Sequence, residues 1–202
     1  GRRIYLQLAI EGDSKVGDDI IKRYITVLDS NDGSAALSIG IGDLTMSCQN
    51  QFYRFYKSGD AKFMHTTSLE SKIQMVPLLI QRALDKSLKQ ISIYNTFQST
   101  NLTKELSEKL IKHVLDIDKG DDMKSLSTRK LNALNELKSH ISKEINQKGE
   151  NVWGLHSGIT SWTTHSKSTP KRDNGHIESL LIGSGYNANL KSLNMLTEFC
   201  NI

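Results

Sequence analysis

The chain has few of the residues that build covalently or metal-stabilised scaffolds. Its 202 residues include two cysteines, Cys48 and Cys200, which make neither a disulfide framework nor a zinc site. We expect two buried thiols in a reducing cytosol. No apolar run approaches the roughly 18 to 20 residues that span a bilayer, and residues 5–10 are too short for the core of a signal peptide. We therefore expect a cytoplasmic protein with no membrane partner.

The sequence also lacks the common catalytic signatures. It has no Walker A pattern, no G-x-G-x-x-G, no G-x-S-x-G elbow and no H-E-x-x-H, so we expect no cofactor and no metal centre. Six histidines are present, and folding is able to bring His156 near His165, or His165 near His176. A hydrolase or nuclease that uses His65, His165, His176 and Glu178 is therefore kept as the alternative function, with Glu178 as a general base.

The first third of the chain predicts strands. Residues 4–10 and 24–28 are rich in β-branched and aromatic residues, and residues 35–41 alternate between apolar and small side chains. Residues 30–34, Ser-Asn-Asp-Gly-Ser, predict a hairpin turn between the last two of these strands. Residues 44–48 are either a fourth strand or the end of the third, and residues 63–66 add a short one.

Helices are predicted to follow. Apolar residues recur at helical spacing over residues 73–91, 106–114 and 131–145, with Pro77 either kinking the first helix or delaying its start. Strands followed by helices indicate an α+β fold, an antiparallel β-hairpin sheet with helices packed on it. We predict a single domain over residues 1–202, with a weak seam near residues 116–122. Because the first residue is not Met, we expect an N-terminal portion to precede it.

Two clusters of basic residues are the candidate binding residues in a chain of net charge +4 and pI about 9.0. One follows the strands, where aromatic and basic residues alternate, and the other is a loop after the last tryptophan. Cations suit phosphates, and aromatic rings suit stacked bases, so the pattern is typical of single-stranded nucleic-acid binding. The predicted DNA-binding residues are Arg54, Lys57, Lys62, Lys167, Lys171 and Arg172, with Tyr53 or Tyr56 for base stacking.

The same residues also fit an ordinary structural role. Aromatic side chains dominate protein cores, so the rings beside Arg54 and Lys57 also fit a core with solvated basic neighbours. Residues 183–185, Gly-Ser-Gly, precede a predicted helix and fit either a phosphate site at its N-terminus or a tight turn, of which we favour the turn. Residues 153–162 predict a helix that buries Trp162 and presents Gly154 and Gly158 to a close neighbour.

Short motifs at both ends of the chain fit one pattern. The N-terminal part carries Ser-x-Asp-Gly-Ser at 30–34, Ser-Cys-Gln-Asn at 47–50 and Met-His-Thr at 64–66. The C-terminal part carries Trp153-Gly154 with Thr160 and His165, and then Glu-Ser-x-x-x-Gly-Ser-Gly at 178–185. This pattern resembles the phage/plasmid-like proteins of a large family of unknown function, over roughly residues 4–66 and 151–200. The resemblance implies carriage by phages or mobile elements, hence a place in the host cytoplasm.

The element order is more distantly similar to single-strand annealing proteins of the Rad52 and Red-beta type. Those proteins place a β-hairpin sheet before a long helix, form rings or filaments, and hold single-stranded DNA in a basic groove without ATP or a catalytic metal. This similarity implies a homo-oligomer that binds or anneals single-stranded DNA in recombination or replication. A structural or host-takeover protein that binds another protein is the third possibility, which an exposed apolar patch without a basic groove would favour.

Overall fold

A computed structural model describes residues 3–33, 36–55, 62–63, 74, 76–117, 126–166 and 175–202, with the backbone alone at 55, 62 and 63. Strands come first and helices second. The strands are β1 (Arg3–Ala9), β2 (Ser14–Val16), β3 (Asp19–Ser30), β4 (Leu37–Thr45), β5 (Gln51–Phe55) and β6 (Lys62–Phe63). The helices are α1 (Val76–Ser99), α2 (Lys104–Val114), α3 (Thr128–Lys148), α4 (Val152–His165), α5 (Gly175–Ile182) and α6 (Ser184–Phe199).

The strands form one antiparallel sheet in the order β1-β3-β4-β5, with β2 also on β3 and β6 also on β4. Leu28 pairs with Ser38 at the β3–β4 hairpin, and Gly33 in its turn has φ +71°, a conformation that favours glycine. The predicted α+β class with an antiparallel sheet is thus confirmed. Residues 44–45 complete β4 rather than forming a strand of their own, and neither β2 nor β5 was predicted.

Alternation along β3 and β4 gives the sheet two differently covered faces. One face carries Ile25 and Ile41, which pack beneath Leu79 and Ala83 of α1. The opposite face carries Tyr53, which packs against Leu180 and Leu181 of α5. The helix α1 begins at Val76, so Pro77 lies in its first turn, where proline is tolerated because that N–H has no partner within the helix.

Helix α4 is buried along almost its whole length. Every residue from Val152 to Thr164 is buried, because α3, α1, α6 and β5 all contact this helix. Several of its polar side chains form hydrogen bonds within the protein. Thr163 donates to the Asn189 side chain at 2.9 Å, and the Thr164 hydroxyl accepts from the backbone N–H of Gln51 at 3.1 Å.

Two glycines let α3 approach α4 closely. A Cβ on Gly158 would lie 2.5 Å from the Ile141 Cα, and a Cβ on Gly154 would lie 2.9 Å from the Gly149 carbonyl oxygen. The predicted roles of Gly154 and Gly158 in close packing, and of Trp162 as a buried residue, are confirmed. Among the described helices, none combines the length and apolar character needed to cross a membrane.

Candidate nucleic-acid interface

Arg54 is the predicted phosphate contact whose side chain is described. It lies on β5 opposite Ile41 of β4, so it points to the face of the sheet that α1 covers. Its Nη1 donates to the Gln90 side-chain oxygen at 3.3 Å, which holds the guanidinium against α1. Arg54 is half-buried, so the charged group reaches the surface at the junction of strand and helix.

Helix α1 contributes cations that sequence reasoning missed. Arg82, Lys86 and Lys89 stand at i, i+4 and i+7, a spacing that places them on one helix face, and all three are exposed. The apolar spacing of this segment predicted only a helix packed on the sheet. The spacing of these cations along the helix is visible in the sequence. It indicates a site only once the fold places Arg54 of the neighbouring strand beside them.

The two elements meet at a surface cavity, hereafter the basic cleft, of about 220 Å³. Its cations come from β5 (Arg54) and from α1 (Lys86 and Lys89), and Gln90 contributes an amide. Ile41 and Ile93 form the apolar part of its wall. Converging cations from two elements suit an oxyanion such as phosphate, and aliphatic side chains between them suit the sugar or the base.

A buried acid–phenol pair lies behind the basic cleft. Tyr94 on α1 donates its hydroxyl to Asp43 Oδ2 at 3.1 Å, and both residues are almost fully buried. Burial raises the pKa of Asp43 to about 7, against the lowering effects of the Tyr94 hydrogen bond and the Arg23 charge. Burial, and then the charge and hydrogen bond of Asp43, raise the pKa of Tyr94. Near neutral pH the carboxyl is therefore partly protonated. Its negative charge then offsets less of the positive charge of the nearby cations.

The structure places Tyr53 in the core. Its side chain is 4 % exposed, its ring packs on Leu180 and Leu181, and burial raises its pKa. Its hydroxyl accepts from Gln7 at 2.9 Å and donates to Gln51 at 3.0 Å. Tyr53 is thus a core residue, and its ring has no exposed face on which a base can stack.

The other predicted binding residues lie mostly outside the described residues. Lys62 has a described backbone in β6, where it pairs with Ser38, but its side chain is outside the description. The remaining ones all lie outside the described residues, and they are Tyr56, Lys57, Lys167, Lys171 and Arg172.

Two residues of the alternative hydrolase, His165 and Glu178, lie near opposite ends of β3. His165 Nε2 lies 3.0 Å from the Cys48 carbonyl oxygen, next to Ser47, which donates to Asp19 at the start of β3. Glu178 instead forms an ion pair with Arg3 at 2.9 Å, and Arg3 pairs with Ser30 at the other end of β3. Because β3 has 12 residues, its two ends lie roughly 35 Å apart.

The histidines considered as metal ligands do not gather either. His156 is 1 % exposed inside a ring of aromatic residues, its Nδ1 lies 2.9 Å from Ser192 Oγ, and burial lowers its pKa to about 3. His176 is exposed at the start of α5, and His65 lies outside the described residues. Within the described ranges no group of three His, Cys, Asp or Glu side chains is arranged to hold a metal ion.

The Ser-Cys-Gln-Asn motif lies at a buried polar junction. Asp19 accepts hydrogen bonds from Ser47 at 2.7 Å and Trp153 Nε1 at 2.8 Å, and it forms an ion pair with Lys148. Burial alone raises the pKa of Asp19, but these hydrogen bonds outweigh that effect and lower it. The junction connects the sheet to α3 and α4. Of the two cysteines, Cys48 lies in this turn, and both are free thiols that are partly exposed rather than buried.

A second carboxylate completes this junction. Glu144 is 4 % exposed, accepts from the Asn50 side chain at 3.1 Å, and lies 3.6 Å from Lys148. The Asn50 amide also donates to the Ser157 carbonyl oxygen at 3.2 Å. The motif residues Ser47 and Asn50 are thus explained by packing, as structural contacts between the β4–β5 turn and the helices.

The comparisons with known proteins give a family and no activity. The model of a domain of unknown function, DUF932, matches residues 1–181, and the chain belongs to this family. No curated protein matches the chain. No solved structure matches it. The resemblance to a large family of unknown function is therefore confirmed at that level.

Proposed function

We propose that this protein binds single-stranded DNA through the basic cleft between β5 and α1. The observation that supports this most is the convergence of Arg54 from the sheet with Lys86 and Lys89 from the helix on one cavity. Arg82 extends the row of cations along α1 beyond the cavity. A groove with cations in a row and aliphatic walls tracks a phosphodiester backbone without reading its sequence.

The cellular role follows as part of the same proposal. We infer a phage or mobile-element protein of the host cytoplasm that anneals or protects single strands during recombination or replication, in the manner of Rad52 and Red-beta. The support is the order of elements, an antiparallel sheet followed by a 24-residue helix, together with the cations on that helix.

Fluorescence anisotropy with a labelled oligonucleotide tests the proposal. Each phosphate contact contributes about 0.7 to the slope of log affinity against log salt for a single strand. Replacing both Lys86 and Lys89 by Gln is therefore expected to weaken binding about tenfold or more and to lower the slope by about 1.4. Lys138 and Lys143 are exposed on α3 away from the cavity lining, so their double Gln variant is the control of matched charge.

Three results bear directly on the proposal. Absence of binding at about 50 mM salt, or binding that does not change between about 50 and 200 mM, contradicts nucleic-acid binding. Equal losses in the cleft variant and in the α3 control contradict the site while leaving binding itself intact. Loss confined to the cleft variant supports both.

A further inference from the structure

Strand β1 carries an apolar row that nothing described covers. Ile4, Leu6 and Leu8 are 46 %, 50 % and 44 % exposed. They alternate along the strand, so they point to one face, and Leu8 pairs with Ile25, which packs beneath α1. The helix covers β3 and β4 but leaves this row uncovered. Three exposed aliphatic residues side by side form a patch, which is typical of an interaction site.

Helix α1 extends the same patch on its side away from the basic cleft. Ile80, Leu84 and Leu88 recur at i, i+4 and i+8, a single helix face. Ile80 and Leu84 pack against the same buried cluster as Val27, which is the cross-strand partner of Leu6. Leu88 is 58 % exposed. The apolar surface therefore runs from β1 onto the neighbouring face of α1.

The backbone of β1 is also available for pairing. In the described part of the chain no strand lies on its outer side. The N–H of Ile10 donates to the Arg23 carbonyl oxygen at 2.9 Å, so even-numbered residues direct their backbone groups inward to β3. The alternation of an antiparallel ladder then directs the N–H and C=O groups of Gln7 and Ala9 outward.

The charges at the ends of β1 have opposite signs. Arg3, which forms the ion pair with Glu178, stands at its beginning, whereas Glu11 and Asp13 follow its end and are exposed. The residues between them carry no charge. A second, antiparallel β1 would keep the carboxylates of Glu11 and Asp13 on the two copies apart and place them at the Arg3 end, whereas a parallel one would bring the carboxylates together. Natural edge strands that must stay unpaired commonly carry a charged residue along the strand, which β1 lacks between Arg3 and Glu11.

We propose that β1 pairs antiparallel with β1 of a second copy of this chain, about a two-fold axis at Gln7. In that register Gln7 faces the partner's Gln7, with outward backbone groups on both, and Ala9 faces the partner's Tyr5. Arg3 faces the partner's Glu11. Leu6 faces the partner's Leu8 on the apolar side. The contact is self-complementary, as a two-fold interface requires, and it joins the two sheets into one.

Sedimentation velocity without DNA tests this interface separately from the proposed function. The wild type is expected to form dimers at about 100 µM, where a micromolar dimer is saturated. Ala9→Pro removes an outward N–H and leaves the ladder to β3 intact, so it is expected to raise the dimer dissociation constant tenfold or more. Ala9→Val keeps the donor and is the matched control. A monomeric wild type, or equal dimerisation of the two variants, overturns the proposal.

Disulfide trapping tests the two-fold axis. With Cys48 and Cys200 replaced by Ser, Gln7→Cys is expected to form a covalent dimer on oxidation, since opposed residues bonded through their backbones bring Cα atoms within disulfide range. Gln81→Cys, exposed on α1, is the control that is expected to stay monomeric on a non-reducing gel. A dimeric protein that fails to cross-link at position 7 overturns the register.

Discussion

At the residue scale, Asp43 shows how burial sets a charge near the basic cleft. Its pKa is raised to about 7, so between its unfolded value of 3.8 and about 7 the folded state binds more protons than the unfolded state. Stability is then lost as pH rises through this window and levels off above it. The raised pKa of Asp43 could not be predicted from the sequence, because its burial arises from the packing of α1 on the sheet and not from its neighbours in the chain.

Asp43→Asn is expected to remove that pH dependence. The amide keeps an oxygen for the Tyr94 hydroxyl but has no proton to lose. The wild type is expected to lose about 3 kcal/mol of unfolding free energy from Asp43 between about pH 4.5 and about pH 7.5, and the variant is not. The unfolding free energy of the variant minus that of the wild type is therefore predicted to rise by about 3 kcal/mol over this range. Urea denaturation at the two pH values measures it. An equal difference at both would show that Asp43 ionises normally in the folded protein.

Gly158 tests the close contact between α3 and α4. A Cβ there meets the Ile141 backbone at 2.5 Å, and a backbone atom cannot rotate away. Gly158→Ala is expected to lower the free energy of unfolding by about 2 kcal/mol, because the overpacking exceeds alanine's gain in helix propensity. Ser142→Ala on the exposed side of α3 is expected to stay within about 0.5 kcal/mol of the wild type in the same denaturation series.

At the scale of elements, the Asp19 junction holds the sheet against α3 and α4. Asp19→Asn leaves Lys148 buried without its nearest carboxylate and is expected to cost about 3 kcal/mol, with a change in Trp153 fluorescence. Asp18→Asn, the exposed neighbour, is the matched control. A stability loss no larger than that of the control would contradict the role of Asp19.

The pH dependence of this junction has the opposite sign to that of Asp43. The pKa of Asp19 is lowered in the folded state, so its contribution to stability is present above pH 3.8 and is lost as pH falls further. Asp19→Asn is therefore expected to lose less stability than the wild type on acidification below pH 3.8. Acid titration followed by Trp153 fluorescence measures the difference.

The elements themselves were predictable where periodicity is strong. The strand at β1, the hairpin turn with Gly33, and helices α2 and α3 follow from local spacing and turn chemistry. The short β2 has three residues, too few for alternation to be recognised. The basic cleft was half predictable. Arg54 stood in a basic and aromatic cluster, but Lys86 and Lys89 joined it only through the packing of α1 on the sheet.

At the scale of the whole molecule, helix α1 separates two surfaces of different chemistry. Its cations meet Arg54 at the basic cleft, and its aliphatic residues continue the exposed row of β1. The exposed apolar patch is thus present together with a basic groove, whereas the protein-binding alternative was tied to a patch without one. Pairing of two copies through β1 would place one basic cleft on each copy of a continuous sheet, and two linked clefts would hold a longer strand more tightly than one.

The central claim is that the basic cleft binds single-stranded DNA, and Arg54 is the residue that both sequence and structure place there. The most direct measurement is oligonucleotide affinity as a function of salt for the wild type and for Arg54→Gln. We predict salt-dependent binding by the wild type, and for the variant a loss of about tenfold with a slope lower by about 0.7. Wild-type binding that Arg54→Gln leaves unchanged in affinity and slope would contradict the claim.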